Sequence, residues 1–205
     1  EADCRLLDEA GVDIAFVPSV DEIYPEGNDT RVFDLGPVAE VMEGAMRPGH
    51  FNGVAQVVSK LFAMVNPDRA YFGEKDFQQI AVIRRMIEIL GHGPEIVPVE
   101  ICRADDGLAL SSRNVRLSAH GREIAPEINR ILCLSREWAR EASVAEVEKR
   151  VIEAINAVSP GEMKVEYYTI VDPVTMQHVD SWVDDARGCA TVYVGDVRLI
   201  DNVKY

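Results

Sequence analysis

A chain of 205 residues, 47% hydrophobic and 27% charged, has the composition of a globular protein with a sizeable core. Its 35 acidic residues exceed 21 basic ones and leave a net charge of −14, which argues against nucleic acid and anionic membrane as partners. No apolar run reaches the roughly 18 residues of a membrane span. The four cysteines form no C-x-x-C pair and no two of the four histidines stand at i,i+4, so no metal site is expected and a reducing cytoplasm is the simplest compartment.

The first residues, "EADCRLLDEAG", put Leu6, Leu7 and Ala10 on a helical stripe ended by Gly11. They contain no Met and read as the middle of an amphipathic helix, so a piece of something longer is expected. "DIAFVPS" follows as a short buried strand closed by Pro18, and "RVFDL" (31–35) as another brief strand. "GPVAEVMEGAM" and "GVAQVVSKLFAMVN" read as helices separated by "RPGHFN", and "AYF" as the next strand. In "DFQQIAVIRRMIEILG" the residues Phe77, Ile80, Ile83, Ile87 and Leu90 share one helical face, which Gly91 ends. "EIVPVEI" is a further strand. Short apolar strands alternating with helices predict β-α-β units in a parallel, doubly wound sheet, with a site beyond the carboxyl ends of the strands.

After about Arg103 the pattern changes. "ADDGLALSSRN" is a loop, and a long helix is expected over roughly Ser118–Ala142. A second helix opens on a Ser143/Glu146 capping box, with Val144, Val147, Val151, Ile155 and Val158 at helical spacing. "VEYYTIVD" reads as a strand, and "CATVYV", Gly195-Asp196 and "VRLIDNV" as a hairpin. The expected division is residues 1–103 as an α/β nucleotide-binding unit and 104–205 as a smaller α+β unit.

Two loops carry candidate chemistry. In Gly73-Glu74-Lys75-Asp76, glycine allows close backbone approach, and a helix start plus an ammonium suit a phosphate. The same residues also fit a plain helix start, with Asp76 as N-cap and Gln79 completing a capping box. In "LALSSRN" (108–114), Ser111, Ser112 and the planar fork of Arg113 suit a loop over phosphates; the alternative is a solvated linker. "RPGH" (Arg47–His50) reads as a helix-start loop near a substrate, because no second histidine precedes it at the spacing of a catalytic pair. His92, His120 and His178 read as surface residues, and Trp138 and Trp182 as core or interface.

"RPGHFNGVAQVVSKLF", "NPDRAYFGEKDFQQIAVIRRM" and "DGLALSSRNVRLS" together resemble the pantoate–β-alanine ligase family, a likeness running from "EAGVDIAFVPS" to "VEYYTIVD". The resemblance implies a Rossmann-like nucleotidyl-transferase sheet, incomplete at its N-terminus, followed by a smaller α+β domain, in a homodimer. It implies ATP with Mg²⁺, and pantoate and β-alanine as substrates joined through a pantoyl-adenylate. By matching position, Gly73, Glu74, Lys75 and Asp76 line the ATP site, Gln79 holds pantoate, and Leu110, Ser111, Ser112 and Arg113 form the loop over the triphosphate. Cys102 falls where the family contacts adenine through its main chain. Lys75, Ser111, Ser112 and Arg113 are the residues expected to carry the chemistry, electrostatically and with no protein nucleophile. Family members also carry an H-x-G-H loop and a second pantoate-binding glutamine upstream of these segments. Neither is found in this chain, so the expectation is that the 205 residues alone make no pantothenate. Two other readings stay open: a different adenylate-forming transferase on the same fold, and a non-catalytic dimerising scaffold.

Overall fold

The computed structural model describes all residues, Glu1–Tyr205. The first elements are helix α1 (Ala2–Glu9), followed by Gly11 at φ +75°, and the single turn α2 (Val20–Ile23). Ser19 and Glu22 close a reciprocal capping box on α2. Between them the expected buried strand does not form. Residues 14–17 belong to no strand, and Ile14 and Val17 are 83% and 76% exposed. An extended apolar segment becomes a strand only when a neighbour takes up its backbone N–H and C=O groups, and none lies alongside.

Residues 31–35 are not a strand either, although Phe33 and Leu35 are buried. Their backbone partners are side chains of the next long helix. Asn52 accepts from the Phe33 N–H at 2.9 Å and donates to the Arg31 carbonyl, which Gln56 also reaches at 2.6 Å. The helix expected over "GPVAEVMEGAM" is divided into a 3₁₀ turn, Gly36–Ala39, and a single turn α3, Glu43–Met46. Between them Met42 sits at φ +47°, a backbone region that costs a non-glycine residue free energy and persists only where its surroundings enforce it.

Helix α4 (His50–Val65) leads to strand β1 (Arg69–Gly73), helix α5 (Phe77–Leu90) and strand β2 (Glu95–Val99). The strands pair in parallel, from Arg69 opposite Glu95 to Gly73 opposite Val99. Helices α4 and α5 cover one face of this sheet, where Phe51, Ala55, Val82, Ile83 and Met86 form a core with Phe72 and Ile96 packed on it. The other face is open, and Tyr71 is 63% exposed there. Gly91, at φ +72°, ends α5 as the sequence predicts.

Beyond residue 103 the expected long helix is two: α6 (Ala119–Ile124) and α7 (Glu127–Trp138). Pro126 has no N–H to continue the ladder, so the first helix stops before it. Helix α8 (Val144–Val158) opens on the Ser143/Glu146 capping box and buries Val144, Val147, Val151 and Ile155. Strands β3 (Met163–Val171), β4 (Arg187–Val194) and β5 (Val197–Lys204) form a separate antiparallel sheet in that order, β4 and β5 joined through Gly195-Asp196. Helices α7 and α8 pack on it around the largest core, which Trp138 and Trp182 flank. The architecture is α/β, a parallel sheet followed by a separate small antiparallel one. No helix is long and apolar enough to cross a membrane, and all four cysteines are free.

Candidate active site

Gly73 is the last residue of β1, so the "GEKD" segment does leave the carboxyl end of a parallel strand. It does so through a 3₁₀ turn, Glu74–Asp76, before α5 begins. The capping box expected between Asp76 and Gln79 is not made, and no side chain caps α5. The extra turn puts Asp76 at φ −91°, ψ 56°, outside the extended conformation that an N-cap side chain needs to reach back. The Asp76 and Gln79 side chains instead line a cleft of about 580 Å³, together with Lys75.

Arg113 lines the same cleft. The two loops singled out in the sequence therefore converge on one cavity. The Lys75 ammonium donates to the Leu110 carbonyl at 2.9 Å, a direct link between them. Burial holds the Lys75 pKa below its ordinary value; the charges of Asp76 and Asp201 oppose that, while Arg113 and Arg103 add to it. Burial leaves the ammonium short of solvation, and a bound anion would add a partner to Asp76 and Asp201.

The other predicted residues are placed differently. Ser111 turns back on its own loop, its Oγ accepting from the Arg113 N–H at 3.2 Å, and Ser112 is exposed at the start of a 3₁₀ turn, Ser112–Arg116. Asn114 of the same motif donates to the Ala109 carbonyl, while its buried Oδ1 has no partner. Leu110 has an exposed side chain and donates its N–H to the Cys102 carbonyl at 2.9 Å. Cys102 is exposed, and its main chain helps to anchor the loop. Gly73 and Glu74 do not line the cleft. The Glu74 carboxylate points to Arg187 at 3.3 Å.

The sequence reading missed the wall that the antiparallel sheet supplies. Cys189 and Ala190 of β4 and Ile200, Asp201 and Asn202 of β5 reach the cleft. Burial pushes the Cys189 thiol up to about 12, so it faces the cavity as a neutral group. Asp201 takes a bidentate pair from Arg103 at 2.7 and 2.8 Å. The available signal was the adjacent polar pair Asp201-Asn202 in the strand "VRLIDNVK", which breaks the alternation expected of an outer face.

Glu43, Arg47 and His50 also line the cleft. Burial alone would raise the Glu43 pKa, but hydrogen bonds and charge from Arg198, with the Tyr167 hydroxyl at 2.9 Å, outweigh it and hold the carboxyl below its ordinary value. Arg198 bridges Glu43 and Glu166, each at 2.6 Å. The buried Gln78 amide fixes the same segment: its Oε1 accepts from the Glu43 N–H, and its Nε2 donates to the carbonyls of Val38 and Val41. His50 is the first residue of α4, with its Nε2 3.0 Å from Arg47 Nη1. Arginine only donates, so Nε2 is the acceptor and the ring is neutral. Burial and the Arg47 charge both lower the His50 pKa accordingly. No three acidic, histidine or cysteine side chains cluster as a metal site.

The cleft is lined by Arg47, Lys75 and Arg113 and by Glu43, Asp76 and Asp201. Because Arg198 pairs with Glu43 and Arg103 with Asp201, the three lining cations face one unpaired carboxylate, which suits a substrate with several anionic groups. The family profile described as "Pantoate-beta-alanine ligase" matches residues 1–204. A pantothenate synthetase of Porphyromonas gingivalis is 60% identical over 207 residues, covering 100% of this chain and 73% of that protein. The crystal structure of pantothenate synthetase from Thermus thermophilus is 50% identical, with a TM-score of 0.92 over 99% of this chain and 73% of its own. A pantoate–β-alanine ligase of Francisella tularensis, solved in complex with β,γ-ATP and β-alanine, is 32% identical with a TM-score of 0.74, covering 99% of this chain and 69% of that one. The chain belongs to the pantoate–β-alanine ligase family, enzymes that form a carbon–nitrogen bond.

Proposed function

We propose that the cleft binds ATP and pantoate and joins them as a pantoyl-adenylate, which the β-alanine amine then attacks. The observation that carries this reading is the convergence of Lys75, Gln79 and Arg113 on one cavity from two separate loops. Lys75 and Arg113 hold the phosphates, with Ser111 and Ser112 closing over the remaining oxygens. Gly73, Glu74, Asp76 and Leu110 shape that loop pair, and the Cys102 main chain meets the adenine. Gln79 hydrogen-bonds pantoate.

A pantoate carboxylate oxygen bonds to the α-phosphorus as the bond to pyrophosphate breaks. The amine nitrogen then bonds to the acyl carbon, loses its proton, and AMP leaves. In the first step two anions must approach, and fixed cations in a half-buried cleft screen them. The second step depends mostly on holding the amine against the acyl group. Arg47 and the neutral His50 also line the cleft, and the Arg47 guanidinium is the partner offered there to the carboxylate of the amino acid. A Mg²⁺ ion on the phosphates would be held from the protein side by Asp76, the exposed carboxylate lining the cleft, and would supply further screening of phosphoryl charge.

Three further assignments belong to the same reading. The chain divides into folding units near residue 103, it pairs as a homodimer, and its free thiols suit a reducing cytoplasm. The 205 residues by themselves turn over no pantothenate. The strand-like segment around Ile14 and Phe16 stays in solvent and β1 has a single neighbour, so this half of the nucleotide fold lacks part of its packing.

Titration calorimetry with MgATP tests the site. Exothermic binding is expected, and Lys75→Met should weaken it about 30-fold, the worth of one charge-assisted contact of about 2 kcal/mol. Binding that ignores both Lys75→Met and Arg113→Met overturns the assignment. Pyrophosphate release by the isolated chain, given pantoate and β-alanine at the rate of a Porphyromonas or Thermus relative, overturns the inactivity.

A further inference from the structure

Asn202 is 4% exposed and sits on β5, away from either loop in sequence. Its amide is fully committed. The Nδ2 donates to the Glu74 carbonyl at 2.7 Å and to the Lys75 carbonyl at 3.3 Å, while Oδ1 accepts from Arg187 Nη1 at 3.2 Å. Arg187, on β4, reaches the Glu74 carboxylate at 3.3 Å with its other terminal nitrogen. Its guanidinium also lies 4.3 Å over the Phe77 ring. Two buried side chains of the antiparallel sheet thus grip the segment that carries Lys75 at four points: two carbonyls, a carboxylate and a ring.

The grip has a directional consequence. In a trans peptide the N–H points opposite to the C=O of the same plane. Drawing the Glu74 and Lys75 carbonyls towards Asn202 therefore fixes where the Lys75 and Asp76 N–H groups point, and sets the base from which the lysine side chain extends. Without that grip, three residues of 3₁₀ turn between a strand end and an uncapped helix have little else to define them.

We propose that Asn202, backed by Arg187, is a positioning residue for Lys75: the second sheet sets phosphate affinity at the first without touching the phosphate. This rests on the ATP reading of the cleft. A structural role alone would lower stability and affect any variant equally. A positioning role acts through Lys75, so its effect disappears when Lys75 is gone.

The test is a double-mutant cycle in MgATP binding by calorimetry, using the parent chain, Lys75→Met, Asn202→Leu and the pair. Asn202→Leu keeps the branched outline at somewhat greater bulk and removes the donors and the Oδ1 acceptor. It should weaken MgATP binding about tenfold in the parent, the usual size for loss of a hydrogen-bonded constraint, and less than about twofold in the Lys75→Met background. Equal losses in both backgrounds, or no loss in the parent, overturn the proposal. If Asn202→Leu has no cooperative thermal transition, Asn202→Ser goes through the same cycle, and the same two results overturn the proposal. A Lys75→Met chain that binds MgATP like the parent overturns this inference, and if Arg113→Met also leaves binding unchanged the site reading falls with it. Weakened Lys75→Met binding with additive losses overturns this inference alone.

Discussion

At the scale of single residues, close packing and partial burial decide the behaviour. Gly188 lies against Tyr168 and Tyr205, and an added Cβ would overlap the Tyr168 hydroxyl. Both tyrosines are fixed by a hydroxyl chain that runs from Tyr168 through Tyr205 to Ser135, so neither can swing away cheaply. Gly188→Ala should destabilise the chain by about 1–3 kcal/mol, the range for overpacking, read as a lower urea midpoint with an unchanged slope. Lys75 behaves differently, because burial depresses its pKa from 10.5. The charged form is the one penalised in the folded chain, so this group's contribution to stability rises as pH climbs through the lowered value. Anion binding needs the ammonium and runs the other way. MgATP affinity should fall with rising pH at values below the ordinary lysine range, and Lys75→Arg should remove that fall. The sequence made Lys75 and Arg113 legible because loop cations are conspicuous in an acidic chain. It left Arg187 hidden and marked Asn202 only by the broken alternation at Asp201-Asn202, which does not by itself distinguish a clamp from a surface polar residue in a hairpin.

At the scale of elements, the sequence announced those whose partners lie within the element or the adjacent one. Helices α5 and α8 carry their apolar stripes and their stop or start signals within themselves, and both formed where expected. The segments around Ile14 and Phe33 did not become strands, because strand formation depends on a neighbour that the local sequence does not encode. The turn α3 is a further case. Four residues cannot hold a helix unaided, and this one is held by Gln78 from below and by Arg198 and Tyr167 from the side. The Glu43 carboxyl is kept below its ordinary 4.5, so its contribution to stability is complete above that value. It is lost as pH falls through the lowered one. Glu43→Gln should therefore flatten the acid side of a stability–pH profile while lowering the plateau at neutral pH. A profile that keeps the parent's acid slope would assign the effect to other carboxylates.

At the scale of the whole molecule, the two sheets are joined by an apolar cluster, in which Met42 and Phe77 meet Val171, Met176 and Cys189, and by charged pairs beside it. Arg198 with Glu43, Arg187 with Glu74 and Arg103 with Asp201 span the seam, and the cleft lies along it. Both tryptophans flank the core of the antiparallel sheet, so their fluorescence reports that sheet while far-UV dichroism reports both. In the parent the two urea transitions should coincide. Arg198→Met leaves Glu43 and Glu166 half-buried without their shared cation, a loss of about 3 kcal/mol or more, and should separate the midpoints. Coincident midpoints in that variant would mean that the apolar contacts suffice to couple the sheets. Convergence of the two loops was the part of the site that the sequence let one anticipate; the seam that brings them together was not, because its charges come from segments far apart in the chain.

The placement of those cations has a kinetic side. An envelope carrying a charge of −14 pushes a polyphosphate back at long range, while the cations lining the cleft attract it only within the last Debye length, about 8 Å in physiological salt. Dilute electrolyte shields the distant repulsion before it reaches into the half-buried cavity. On the ATP reading, entry of the nucleotide is thus hastened by modest ionic strength, the reverse of the usual rule for anions steered onto a positively charged surface.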